Sequence, residues 1–407
     1  MSFNTIRVPH ILLPKKGTDM TAYAVIACDQ FTSQKKYWDD LKKAIGEKPS
    51  TFHMIFPEAY LECCDNVEYV NKINANIKNY LDKGILEDIG PCFVLVERTT
   101  DYHTRRLGLI LAIDLEDYSY QRGIKCSIKA SEATIVERIP PRLKIRHDAP
   151  IELPHTLLLF DDPQKTIVEP LYEKRSSLPL LYDFDLNQNG GHLRGYKITD
   201  TQAVIDSFER LYIKNNNGLN FIVGDGNHSL ATAKAYWEEI KPSLTAEEKD
   251  HHPARFALVE VNNVYDQGIN FEPIHRILYN VDPNFEKKLS SVCDGPCCEC
   301  YIFDQINGKK TIKTPANVAK TYKIIQSFID EYLKDNPQTS VDYIHDECSL
   351  INIANEHKNS VAINMPALGK SDIFAFVSQD AVLPRKSFSM GHASEKRYYL
   401  EAKSIRG

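Results

Sequence analysis

Residues 221–234 read Phe221-Ile222-Val223-Gly224-Asp225-Gly226-Asn227-His228-Ser229-Leu230-Ala231-Thr232-Ala233-Lys234. A short apolar run enters a glycine-bracketed polar turn, and Leu230, Ala233, Trp237 and Ile240 then recur near helical spacing. The pattern predicts strand, turn and helix. Glycines permit a sharp turn and close approach of a ligand, while the amides and positive dipole end of a helix start favour an anion. On this reading Gly224, Gly226, Asn227 and Ser229 hold a phosphate, with Asp225 and His228 beside it as acid/base groups. An ordinary αβ connection capped by Asn227 or Ser229 has much the same outline. The density of polar functionality in the turn favours the ligand reading.

The remaining chain is compatible with such a site. With 407 residues, 43% hydrophobic and 26% charged, it is long enough for two or three domains of ordinary globular composition. A net charge of −6 gives no general attraction to nucleic acid or to an anionic membrane. The start of the chain lacks a basic segment followed by a long apolar one, so a cytoplasmic location is expected. Ten cysteines are then expected to be free thiols. Cys293, Cys297, Cys298 and Cys300 crowd together, but not at zinc-knuckle spacing, and read as small strand residues, with metal binding the alternative.

Strand-like runs at Ala22 to Ala27, Phe93 to Glu97, Leu107 to Leu115 and Leu157 to Phe160 alternate with helix-like ones at Gln34 to Ile45 and Val67 to Lys83. The expected fold class is mixed α/β (α+β). Residues 1–278 read as a core carrying the turn, and 279–407 as a smaller α+β module with a hairpin at Asn307-Gly308 and a basic loop, Leu383 to Gly391, returning to the site.

Four further segments hold more polar groups than folding needs. They are Lys129 to Thr134 with Glu137 to Arg146, Glu272 to Arg276, the loop of Arg385, Lys386 and Ser387, and the glycine-rich stretch Asn189 to Tyr196. Carboxylates beside cations suit an anion pocket or a solvated ion-pair surface. His275 with Arg276 suits proton transfer beside a bound anion or a structural strand end. No Walker A lysine motif, GxGxxG, kinase catalytic loop, HExxH or GxSxG elbow occurs.

These segments together resemble the uncharacterised proteins grouped as domain of unknown function 1015. Gly224 to Ala233 is similar to that family's "DGHHR…A" box, Ser131 to Thr134 to its "HExT", Arg142 to its following "DR", Pro273 to Arg276 to its "PTHR", and Pro384 to Ser387 to its "PPKST". Phe52 to Tyr60 resembles its N-terminal element. Ser131 stands where the family has histidine, Asn227 replaces the first histidine of the second box, and Ser229 replaces its arginine. More distantly, the box is similar to one in the ParB, sulfiredoxin and free-serine-kinase superfamily. The resemblance implies a ParB/sulfiredoxin-like nucleotide-binding core.

It also implies a nucleoside phosphate as cofactor and a small phosphorylated or hydroxylated metabolite, linked to serine metabolism, as partner. A phosphotransferase or phosphoester-processing enzyme is then expected. Glu132, Asp225, His228 and His275 would be catalytic, Mg²⁺ would sit on Asp225 or Glu132, and Thr134, Arg142, Arg276, Arg385, Lys386 and Ser387 would help hold phosphate. The alternatives are a non-enzymatic sensor of the same ligand and a ParB-like nucleic-acid clamp, the latter opposed by the acidic balance. A second copy of the chain, in a homodimer, is the remaining partner considered.

Overall fold

The computed structural model describes residues 4–61, 66–121, 123–132, 134–215, 218–378, 383–384 and 386–407. Two units are present. The larger comprises Met1–Ala130, Thr134–Ile269 and His392–Gly407; the smaller comprises Ser131–Ala133 and Asn270–Gly391. The main run of the smaller unit starts at Asn270, and the last sixteen residues belong to the larger one.

Packing explains that tail. The buried Arg98 guanidinium donates to the carbonyls of Gly190, Ser394, Glu395 and Lys396. Arg397 is equally buried and pairs with Glu260 at 3.0 Å and Glu401 at 2.6 Å. Charged groups this deep require such partners, and these contacts tie the tail to the larger unit.

That sheet contains β1 (Ile6–Arg7), β2 (Phe93–Thr99), β3 (Arg106–Asp114), β4 (Tyr118–Ser119), β5 (Ile128–Ala130), β6 (Leu157–Phe160), β7 (Leu180–Asp185), β8 (His192–Ile198), β9 (Phe221–Asp225) and β10 (Phe256–Asn263). Its order is β7-β8-β2-β3-β10-β6-β9-β5-β4, with β1 paired to β3. Most pairs are antiparallel, but β6 runs parallel to β10, and β5 runs parallel to both β9 and β4. The fold class is therefore mixed α/β, as expected.

Both faces of the sheet are covered, which is why β3 is apolar along nearly its whole length. Val94, Val96, Ile110 and Leu258 pack on one side with Trp38 and Ile77, from α1 (Lys35–Ile45) and α2 (Asn66–Asp82). Leu95, Leu109, Leu111 and Val259 pack on the other with Phe208 and Trp237. The longer helices that follow are α3 (Ile139–Asp148), α4 (Thr201–Asn215) and α5 (Asn227–Ile240). Helix α4 buries Val204, Phe208 and Leu211, the three positions its spacing selects.

One expected strand differs. Across Ala22 to Ala27 the chain forms a short helix, Met20–Tyr23, before a two-residue strand, because the Asp19 side chain caps it by accepting from the Ala22 amide at 3.1 Å.

In the smaller unit, β11 (Phe271–Pro273) is followed by β12 (His275–Tyr279), β13 (Cys297–Asp304), β14 (Gly308–Thr314), β15 (Ser340–Ile344), β16 (Ser360–Asn364) and β17 (Phe388–Met390). An antiparallel sheet of order β14-β13-β16-β12-β15 is the centre, and β11 pairs with β17. The β13–β14 connection is the hairpin that Asn307-Gly308 predicts, with Asp304 Oδ1 accepting from the amides of Ile306 and Asn307. Helices α6 (Phe285–Val292) and α7 (Val318–Asp335) cover one face through Leu289, Tyr322 and Ile325. Helix α8 (Glu347–Glu356) covers the other through Leu350 and Ala354.

Cys293 and Cys300 lie in the α6/α7 core as small apolar residues, and burial pushes their thiols up to about 11 and about 12. Cys297 is half-buried, and the side chain of Cys298 falls outside those described.

Candidate functional site

Strand β9 delivers Asp225 to a turn in which Gly226 takes the left-handed conformation, φ +78°. A side chain there is excluded twice: L residues resist that φ, and a Cβ would stand 2.9 Å from Thr156 Cα. Strand β6 follows Thr156 directly, so the turn is pressed against the sheet. The Gly226 amide donates to Asp225 Oδ1 at 2.9 Å, while Asp225 Oδ2 lies 3.2 Å from Lys396 Nζ. The first intrahelical bond of α5 runs from the Leu230 amide to Gly226 O at 3.1 Å. Asn227 and Ser229 precede it, where the positive end of the helix dipole lies.

The backbone amide of Ile135 donates to His228 Nε2 at 3.2 Å, so a neutral His228 carries its proton on Nδ1. Thr134 precedes Ile135 in the chain. Asn227 Oδ1, in the turn, and Thr134 Oγ1 are each buried with no hydrogen-bond partner among the described residues. Buried polar atoms are normally satisfied, so an unmet pair beside a helix start is a feature to explain.

Arg142, on α3, forms an ion pair with Glu58. Both line a cavity of about 820 Å³, together with Ser229 and Thr232 of α5 and with His155, Thr156 and Tyr399.

The residues at one end of the cavity escaped the sequence reading. His155 Nδ1 lies 2.9 Å from the Tyr399 hydroxyl and His155 Nε2 lies 3.7 Å from Asp29 Oδ2. Burial works against charge on Asp29, but His155, Gln30 and Lys396 outweigh it and hold the carboxyl well below the usual range. The Tyr399 hydroxyl also accepts from the Cys28 amide at 3.3 Å and lies 3.1 Å from Cys28 Sγ, a thiol that burial pushes up to about 12. The dense polar run Glu395-Lys396-Arg397-Tyr398-Tyr399 is the signal that could have found Tyr399; His155 and Asp29 carry no comparable local signal.

The other site residues expected from sequence lie in the smaller unit. Glu132 is half-buried and accepts from the amides of Lys386 at 3.2 Å and Ser387 at 3.0 Å. Burial raises its carboxyl despite those amides. Arg385 lies outside the described residues. Ser387 turns its hydroxyl onto Pro384 O at 2.6 Å.

His275 accepts the Met365 amide on Nδ1 at 3.0 Å, and burial lowers its imidazole to about 4. Arg276 is fully buried, donates to Ile274 O and Gln326 Oε1, and lies over the rings of Tyr322 and Tyr343. Both side chains are thus committed to their own unit's core: the ring is neutral near pH 7, and the guanidinium is enclosed. The acid/base and anion-binding parts expected of them do not suit that placement.

The Mg²⁺ expectation fares similarly. A hard divalent cation seeks several oxygen ligands, yet Asp225 already faces an ammonium and an amide. Among the described residues no three His, Cys, Asp or Glu side chains group as metal ligands. The donor set does not fit a protein-held Mg²⁺. Among the same residues no helix is long and apolar enough to cross a membrane.

Several solved structures are similar to this chain. A conserved hypothetical protein from Pyrococcus furiosus matches with TM-score 0.35 and 10% identity, over 73% of this chain and 95% of that one. SbnI from Staphylococcus aureus, truncated at its C-terminus, matches with TM-score 0.38 and 8% identity, over 69% and 82%. A free serine kinase in complex with AMP matches with TM-score 0.39 and 10% identity, over 73% and 92%. No curated protein matches. A family model described as "Protein of unknown function (DUF1015)" matches residues 12–404, nearly the entire length, and the chain belongs to that family.

Proposed function

We propose that the protein binds a phosphorylated small molecule, a nucleotide or phosphometabolite, at the Gly224–Ser229 turn and acts on its phosphoryl group. The observation carrying this reading is the unmet polar pair beside the turn, Asn227 Oδ1 and Thr134 Oγ1. A threonine hydroxyl can donate, and an asparagine carboxamide can rotate to present its N–H₂ group. With the dipole of α5, the Ser229 hydroxyl and the Arg142 charge, the turn collects donors for a phosphate.

Transfer would proceed by attack of a hydroxyl oxygen, from a small metabolite or water, on phosphorus. The bond from phosphorus to the leaving oxygen breaks, and the attacking hydroxyl's proton passes to the Asp225 carboxylate. Lys396 orients that carboxylate. Such chemistry rests on positioning and electrostatics.

A second reading, a non-enzymatic sensor of the same ligand, is favoured by the double engagement of Asp225 with Lys396 and the Gly226 amide. Phosphorus NMR separates the two. The protein is incubated with Mg²⁺ and ATP, ADP or CTP, with and without serine, and with phosphoserine alone. A new phosphorus signal that His228→Ala abolishes is expected for an enzyme. Line broadening without turnover selects the sensor, and unaltered spectra in every tube reject phosphate binding.

A further inference from the structure

The cavity of the larger unit is far more spacious than a phosphate group needs. At about 820 Å³ it matches sites that enclose most of a drug-sized ligand. Its walls include Met54, Phe56, Val70, Ile145, Leu153 and Leu258. Two ion pairs, Arg142 with Glu58 and Arg146 with Glu152, and the Ser229 hydroxyl are joined to this apolar surface within the same cavity.

We infer that this cavity takes the apolar body of an amphipathic phosphomonoester, an aryl or medium-chain alkyl phosphate, whose head lies toward Ser229 and Arg142. Sugar hydroxyls set against the apolar wall of Met54, Val70 and Leu258 would forfeit hydrogen bonds to water. An aromatic ring or alkyl chain has no such cost and gains by leaving water. The phosphate head rests on the function proposed above; the apolar body rests on the cavity alone.

Isothermal titration of the full chain with 1-naphthyl phosphate, 1-naphthol and inorganic phosphate tests the inference. Naphthyl phosphate should bind about tenfold or more tightly than inorganic phosphate, as ring burial requires. Val70→Trp, which fills the cavity, should remove that advantage while leaving inorganic phosphate unchanged. Asn71→Trp, from an exposed cavity-lining position on the same helix, should do the same without touching the core.

Naphthyl phosphate no tighter than inorganic phosphate, or indifference of the naphthyl ligands to both tryptophan variants, overturns the apolar-body assignment and leaves the phosphate reading intact. If naphthol and naphthyl phosphate bind alike, both sensitive to the variants, and inorganic phosphate does not bind, the phosphate reading falls and the apolar cavity stands.

Discussion

Lys396 Nζ stands 3.2 Å from Asp225 Oδ2, joining a residue near the C-terminus to the turn between β9 and α5. Both side chains are largely enclosed, at 9% and 19% exposure, so each charge depends on the other for compensation. Arg98 fixes this geometry from beneath by holding the carbonyls of Ser394, Glu395 and Lys396. A site that looks local in sequence is thus completed by a segment about 170 residues later.

Lys396→Met therefore leaves the Asp225 carboxylate without its cation. Removing one partner of an enclosed pair should cost about 2–3 kcal/mol, at the low end for buried pairs because Asp225 retains some solvent access. Urea unfolding followed by fluorescence of Trp38 and Trp237, both in the larger unit, reports it directly. An unchanged midpoint would show that the pair contributes nothing to that unit.

Gly226→Ala should be destabilising by about 1–3 kcal/mol, combining the left-handed φ with the approach to Thr156. The obstruction is backbone, which cannot swing aside as a flexible side chain does. Ser229→Ala, by contrast, alters a half-buried side chain on the same helix and should leave the midpoint nearly unmoved. Wild-type-like stability of Gly226→Ala would mean that the turn relaxes readily, contrary to a preformed cradle.

Burial lowers the His275 imidazole from 6.5 to about 4. Between those values the unfolded chain binds more protons than the folded one, so stability of the smaller unit is complete above about pH 6.5 and declines as the solution is acidified toward 4. The full loss is on the order of 3 kcal/mol. His275→Asn, whose carboxamide oxygen can still accept the Met365 amide, should flatten this dependence. Both tryptophans lie in the other unit, so hydrogen exchange at the Met365 amide, compared between wild type and variant at each pH, is the suitable probe. Parallel pH profiles in the two proteins would remove His275 as the cause.

The strand, turn and helix at 221–240 were legible because each signal is local: an apolar run, glycines at the bend, and helical spacing behind them. Helix α4 and the β13–β14 hairpin were legible for the same reason. The short helix at Met20 was not, since an apolar run of that length suits either structure and the Asp19 cap decides it. His275-Arg276 read as chemistry because a histidine and an arginine at a strand end look alike whether buried or exposed. Met365, ninety residues away, settles the histidine's role. His155 and Asp29 acquire meaning only when β6 and the C-terminal tail meet, and no local pattern announces that meeting.

Ser229 offers the most direct test of the turn, because it stands where the resembling family carries arginine. The side chain lines the same cavity as Arg142, at the third residue of α5, where the dipole already favours an anion. Restoring the cation in Ser229→Arg adds a guanidinium able to bind phosphate through two donors. With partial solvent screening the gain should be about 1 kcal/mol, or roughly fivefold in inorganic phosphate affinity. Raising the salt concentration should shrink that gain, since it is electrostatic. Ser229→Gln, of comparable reach but uncharged, serves as the control and should give little. If Ser229→Arg binds phosphate no better than wild type at low salt while remaining folded, the anion is not held at this turn. The unmet Asn227 and Thr134 atoms would then require another partner.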